Sequence, residues 1–123
     1  MNTGTSAETY YLQGIRSNFE FWGLTPSSTY LNGSGVAFDN TLEIIMKQKY
    51  LASFYRGLEA WFEYRRTGFP NLIIDPRADN NAVVPSRLVY PAVTQMYNPT
   101  NYRKAVERMG GDNINIKSFW EKP

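Results

Sequence analysis

Leu12, Ile15, Phe19 and Trp22 recur at spacings of three and four, which puts them on one face of a helix. The pattern predicts a helix from about Ser6 to Trp22. Thr5, followed three residues later by Glu8, is a capping-box pattern, and Gly23 stands where a left-handed C-cap belongs. Gly14 interrupts this helix at a cost of about 1 kcal/mol relative to Ala, which fits a close neighbour at that point. Residues 24 to 38 carry Pro26, a Ser/Thr cluster and Asn32-Gly33-Ser34-Gly35, and predict a loop.

A longer helical stretch is predicted from about Asn40 to Thr67. Asn40 with Glu43 offers a second capping pattern. Arg65 and Arg66 sit in the last turn, where positive charge meets the negative helix end, and Gly68 and Pro70 close it. One stripe runs through Ile44, Gln48, Leu51, Tyr55, Leu58 and Phe62. A second runs through Leu42, Ile45 and Met46 and rejoins at Phe54 and Trp61. So wide an apolar surface implies burial on more than one side. Gly57 is the expected point of a break or kink.

From Asn71 to Tyr97 four prolines, counting Pro70 just before it, interrupt regular structure, so an irregular segment is expected. Leu72-Ile73-Ile74 and Ala82-Val83-Val84 are the two runs able to pair as a short β-hairpin. The last predicted helix spans Pro99 to about Met109, with Asn98 as N-cap and Gly110-Gly111 ending it. The tail, with Ile114, Ile116, Phe119 and Trp120, is expected to dock. The expected fold class is therefore mainly α with long irregular loops.

Composition removes whole classes of chemistry. The 123 residues include no His and no Cys. A Ser-His-Asp triad, a cysteine nucleophile, a disulfide and Cys/His zinc sites are all excluded from this chain. Thirteen Lys+Arg against eleven Asp+Glu leave a net charge of +2, spread along the chain, so nucleic acid is not an expected partner. No run reaches the roughly 18 apolar residues of a spanning helix. The unusual figure is 15% aromatic residues, which serve both cores and flat platforms for sugars.

At Gln48-Lys49-Tyr50-Leu51-Ala52 and then Gly57 to Pro70 (GLEAWFEYRRTGFP) the chain resembles the C-terminal part of SusD/RagB-like proteins. Pro85-Ser86-Arg87-Leu88-Val89-Tyr90-Pro91, Asn98-Pro99-Thr100-Asn101-Tyr102, Ala105-Val106 and Gly110-Gly111-Asp112 carry the resemblance on. Tyr10-Tyr11, Gly14-Ile15 and Phe19 to Gly23 extend it towards the start, so it covers most of the chain. Gln95 stands where the pattern has Glu. The resemblance implies a section, residues 1–123, of the C-terminal lobe of a longer α-helical fold that contains tetratricopeptide-like helices. It implies a non-catalytic glycan- or nutrient-binding lipoprotein on the exterior face of the outer membrane, anchored by an acylated cysteine that this chain lacks. It implies a TonB-dependent transporter as partner and no cofactor. Full family members are several times longer, so this section is expected to be mostly scaffold.

The site candidates compete with plainer readings. Trp22, Tyr30 and Tyr97 lie in or beside loops and are the ligand-binding candidates, because the C–H faces of sugar rings pack on aromatic rings. The competing reading is that they pack loops. Trp61, with Glu59, Glu63, Arg65 and Arg66, reads as a core tryptophan beside helix-surface ion pairs, Arg56–Glu59 and Glu63–Arg66. Glu59 and Glu63 form an i,i+4 carboxylate pair of the kind a retaining glycosidase uses. Neighbouring arginines, however, keep such acids ionised, which is wrong for a general acid. Asp75, Asp79, Asn80, Asn81 and Asp112 match no calcium loop and read as solvated turns. No catalytic or metal residue is assigned. A protein-interaction module touching only the transporter is the alternative function, and a carboxylate-based hydrolase the remote one.

Overall fold

The computed structural model describes residues 4–121, and among these six helices and no strand occur. They are α1 (Ala7–Phe21), α2 (Ser28–Leu31), α3 (Leu42–Ala52), α4 (Glu59–Thr67), α5 (Ala92–Tyr97) and α6 (Pro99–Met109). The backbone groups into two compact units, one up to Asn71 and one from Leu72 onward.

In the first unit α1 starts one residue later than the capping box predicts. Ser6, not Thr5, is the N-cap, and its Oγ accepts from the Thr9 N–H at 3.2 Å. The same shift occurs at α3. Asn40 takes a left-handed φ of 61° and cannot serve as an extended N-cap. Thr41 does so instead, accepting from the Ile44 N–H at 3.3 Å, while Asp39 receives both the Thr41 N–H and its hydroxyl.

The long helix predicted from Asn40 to Thr67 is two helices. Ser53 ends α3 by donating its hydroxyl to the Lys49 carbonyl at 2.9 Å. Tyr55 and Gly57 then turn left-handed, with φ of 64° and 59°. Gly57 was the expected breaker, and the break spreads over residues 53–58 around it. Gly68, at φ 76°, caps α4 as predicted. The loop after α1 contains α2, whose single turn is too short for periodicity to reveal.

The core of this unit is small. Tyr11, Ile15 and Ile44 are buried together, with Leu12, Phe19, Tyr30, Leu31, Val36 and Phe38 packed around them. Tyr11 donates its hydroxyl to the Val36 carbonyl, which ties the loop back onto α1. Burial raises the Tyr11 pKa.

The second unit has the irregular run and the helix predicted over Pro99–Met109, plus the unforeseen α5. Asn98 makes no side-chain cap; its carbonyl accepts from Tyr102 N–H at 3.0 Å. No β-hairpin forms among the described residues. Asn81 and Ala82 turn left-handed, and Val83 spends its N–H on the Asn80 carbonyl and its carbonyl on the Asn80 amide. Those local bonds consume the groups a ladder would need. The tail docks as predicted through its backbone, with the Ser86 N–H donating to the Ile114 carbonyl at 2.7 Å. Phe119 departs from that expectation and is fully exposed.

Candidate functional site

The C-terminal ends of α1 and α3 lie together in the first unit, and four aromatic rings gather there. Phe21 meets Trp22 edge-on with centroids 5.2 Å apart. Trp22 meets Tyr55 at 6.3 Å, and Tyr55 meets Phe54 at 4.5 Å. All four are exposed, from 47% for Trp22 to 85% for Tyr55. An exposed aromatic face of this extent is uncommon on a folded surface and marks an interaction site more often than chance.

Local structure explains the placement. Phe21 and Trp22 end α1, and Gly23 turns the chain away at φ 69°. Phe54 and Tyr55 occupy the break between α3 and α4. Tyr55 holds a left-handed backbone, which costs a non-glycine residue about 1 kcal/mol. The conformation brings its ring into contact with both Trp22 and Phe54.

A groove of about 510 Å³ with a mixed polar and apolar lining adjoins the rings, lined by Ser17, Asn18, Phe21, Lys49, Arg56 and Glu59 among others. The arrangement offers flat apolar faces for sugar C–H groups and hydroxyl, amide and charged groups for sugar hydroxyls. Of the three sequence candidates, Trp22 belongs to this cluster. Tyr30 is half-buried instead. Its ring packs on Phe19 at 5.1 Å, and its hydroxyl donates to Gln48 Oε1 at 3.3 Å. Tyr97 lies at the end of α5 in the other unit and is 82% exposed. Sequence reasoning missed Phe21, Phe54 and Tyr55 as exposed rings. Phe54 and Tyr55 sat within the stripes of a helix that proves to be broken there.

The carboxylate pair is engaged in ion pairs. Glu63 receives Arg66 through Nε at 3.2 Å and Nη2 at 2.6 Å, and Lys49 Nζ lies 3.1 Å away. Hydrogen bonds from Arg66 and then Lys49 outweigh partial burial and pull its pKa down to about 2. Lys49 also reaches Glu59 at 3.6 Å. A carboxyl ionised to so low a pH has no proton to give at neutral pH, so Glu63 is not a general acid. Arg65 lies over the Trp61 ring, 4.3 Å from its centroid, and Trp61 is half-buried, outside the buried core cluster in which the sequence reading placed it.

Two acidic residues of the second unit, Asp75 and Asp112, are likewise in ion pairs. Asp75 holds Arg77, which lowers its pKa chiefly through that hydrogen bond. Asp112 holds Arg87. No cluster of three or more metal-ligating side chains occurs among the described residues. No helix among them is long and apolar enough to cross a membrane. Gln95, standing where the motif has Glu, donates its amide to the Tyr90 carbonyl at 3.3 Å, which a carboxylate could not do.

Residues 2–91 match the SusD-like family described as starch-binding and associating with the outer membrane. Among solved structures, a chitin-binding protein is similar at a TM-score of 0.78 and 32% identity, over 97% of this chain. A SusD-like protein of Bacteroidetes AC2a is similar at a TM-score of 0.79 and 25% identity, over 98%. The chain spans 29% and 27% of the lengths of these two proteins. Comparison with curated proteins returns no match. The family's description and the first neighbour's name are those of binding proteins, not enzymes.

Proposed function

This chain belongs to the SusD-like family, and from that premise we propose that it is a section of a non-catalytic nutrient-binding protein that captures an oligosaccharide. The protein works on the exterior face of the outer membrane and delivers its ligand to a TonB-dependent transporter. Most of the section is scaffold. Its own contribution to the ligand is the face formed by Phe21, Trp22, Phe54 and Tyr55, and this ring cluster is the observation that carries the reading.

The physical case rests on complementarity. Aromatic faces bury the apolar side of a pyranose without demanding hydrogen bonds; the neighbouring Ser17 and Asn18 can donate to or accept from its hydroxyls, and Arg56 can donate to them. The name of the similar chitin-binding protein and the family's starch-binding description support a carbohydrate as the ligand class. The test is titration of the chain with chitohexaose and with maltohexaose, followed by tryptophan fluorescence. Binding of either sugar, weakened by Trp22→Ala and by Tyr55→Ala, is the expected result. Absence of binding, or binding that both variants leave intact, would refute the ring cluster as the sugar contact.

One observation favours a second reading, a surface for the transporter. Val93, Met96 and Tyr97 form an i, i+3, i+4 stripe on α5 and are 56%, 73% and 82% exposed. On that reading Met96→Asp abolishes co-purification with the transporter and leaves sugar titration unchanged.

A further inference from the structure

The ring cluster has one charge beside it without a counterpart. Lys49 Nζ lies 3.1 Å from Glu63 and 3.6 Å from Glu59, and Arg66 Nη2 lies 2.6 Å from Glu63. Two cations thus answer two carboxylates. Arg56 stands outside that network. The Arg56–Glu59 pair expected from their spacing does not form, and Glu59 meets Lys49 instead. Among the described residues Arg56 has no ion pair and no side-chain hydrogen bond.

The backbone sets its place. Arg56 lies in the break between α3 and α4, flanked by Tyr55 and Gly57, which both turn left-handed. Its N–H donates to the Ser53 carbonyl at 2.9 Å, and its own carbonyl accepts from the Glu59 N–H at 3.4 Å. The residue is exposed and lines the groove of about 510 Å³ together with Ser17, Asn18 and Phe21. The preceding residue, Tyr55, carries the ring that meets Trp22 and Phe54. An uncompensated guanidinium therefore borders the groove that adjoins the aromatic platform.

We propose that Arg56 sets the specificity of this site for an acidic oligosaccharide, one whose sugars carry a carboxylate as uronic acids do. The inference rests on the ring cluster being the sugar contact. The rings take the apolar face of the sugar, and the guanidinium takes the carboxylate. A neutral hydroxyl can accept an N–H of Arg56, but a planar carboxylate answers both the donor fork and the charge. Glu59 brings a negative charge to the same groove, and Lys49 at 3.6 Å offsets it. Arg56 is exposed, so the selectivity it confers is that of a good surface ion pair, about three- to fivefold in affinity.

The test compares hexagalacturonic acid with its methyl ester, which keeps the sugar rings and removes the charge. Both are titrated into the chain at low salt, followed by tryptophan fluorescence. The acid should bind about three- to fivefold more tightly, and the advantage should shrink as sodium chloride is raised. Arg56→Gln should bring the ratio to one, leave the affinity for the ester nearly unchanged and keep the helical circular dichroism. Arg108→Gln removes the same charge from an exposed position on α6 and should leave the ratio intact. Trp22→Ala should weaken acid and ester alike. Equal binding of acid and ester, with both weakened by Trp22→Ala, overturns the role of Arg56 and leaves the ring site standing. A ratio that survives Arg56→Gln, or that Arg108→Gln lowers as much, overturns it too. Failure of both ligands to bind, or binding of both that Trp22→Ala leaves intact, removes the ring site and the inference with it.

Discussion

Arg87 and Asp112, 25 residues apart in sequence, form an ion pair at 2.9 Å with side chains only 15% and 7% exposed. Asp112 also accepts the Tyr90 N–H, at 3.2 and 3.3 Å to its two oxygens, and the Tyr102 hydroxyl at 3.1 Å. One carboxylate therefore joins the Pro85–Pro91 run, α6 and the start of the tail. The Tyr90 and Tyr102 rings, edge-on at 5.8 Å, complete the arrangement. Burial, then the bond to Asp112, raises the Tyr102 pKa.

Removing one partner of a buried pair leaves the other charge uncompensated, at about 3–5 kcal/mol. Asp112→Ala and Arg87→Met are each expected to destabilise the second unit by an amount of that order. Urea denaturation followed by circular dichroism measures it. A loss below about 1 kcal/mol in both variants would mean that the pair does not organise this unit.

Glu63 predicts a pH dependence. Its folded pKa of about 2 lies below its ordinary value of 4.5. A depressed carboxylate pKa means that the folded state favours the charged form. The stability it contributes is full above pH 4.5 and is lost as pH falls from there towards 2. The contribution is on the order of 1 kcal/mol for a partly exposed network. Glu63→Gln should flatten the stability curve across that acid window and leave the difference between pH 7 and pH 9 unchanged.

Tyr55 separates binding from stability. Glycine accepts its left-handed backbone without strain, so Tyr55→Gly is expected to leave thermal stability equal or slightly higher. Aromatic packing beyond area burial is worth about 0.5–1.5 kcal/mol, so oligosaccharide affinity should fall roughly two- to thirteenfold. A melting temperature lowered together with affinity would instead mark Tyr55 as a structural residue.

Gly14→Ala places a methyl group in open space on a helix. In the isolated chain it should stabilise by about 0.4–1 kcal/mol through helix propensity and the unfolded state. A loss of stability in the isolated chain would show a neighbour close to Gly14 within these 123 residues.

The core makes a final, simpler claim. Ile15 is 4% exposed and belongs to the three-residue buried cluster. Ile15→Ala is expected to cost about 2–5 kcal/mol, a large share of what so small a core supplies. Thermal unfolding of the variant, read by circular dichroism, checks it.

The helical class was legible in the sequence because α1, α3, α4 and α6 are long enough for apolar spacing, caps and terminal glycines to agree. Gly68 and Gly110 end α4 and α6 where local chemistry predicts, since only their own backbone is involved. The family was legible for a related reason: its motifs are runs of consecutive residues, and their order along the chain is enough to carry it. Tertiary structure decided the rest. Ser53, Tyr55 and Gly57 together split one predicted helix, and the split exposes Phe54 and Tyr55, which the periodic stripes had assigned to an apolar face. Trp22 acquired its partners only when the end of α1 met that break, 33 residues further along the chain. Asn80 spent its side chain on Val83 and removed a hairpin that apolar runs alone allowed. Local signals mark the longer helices and their ends, because caps and apolar spacing depend on a few consecutive residues, whereas the short α2 and α5 left none. Which rings stay exposed depends on what packs against them, and that is a property of the assembled surface.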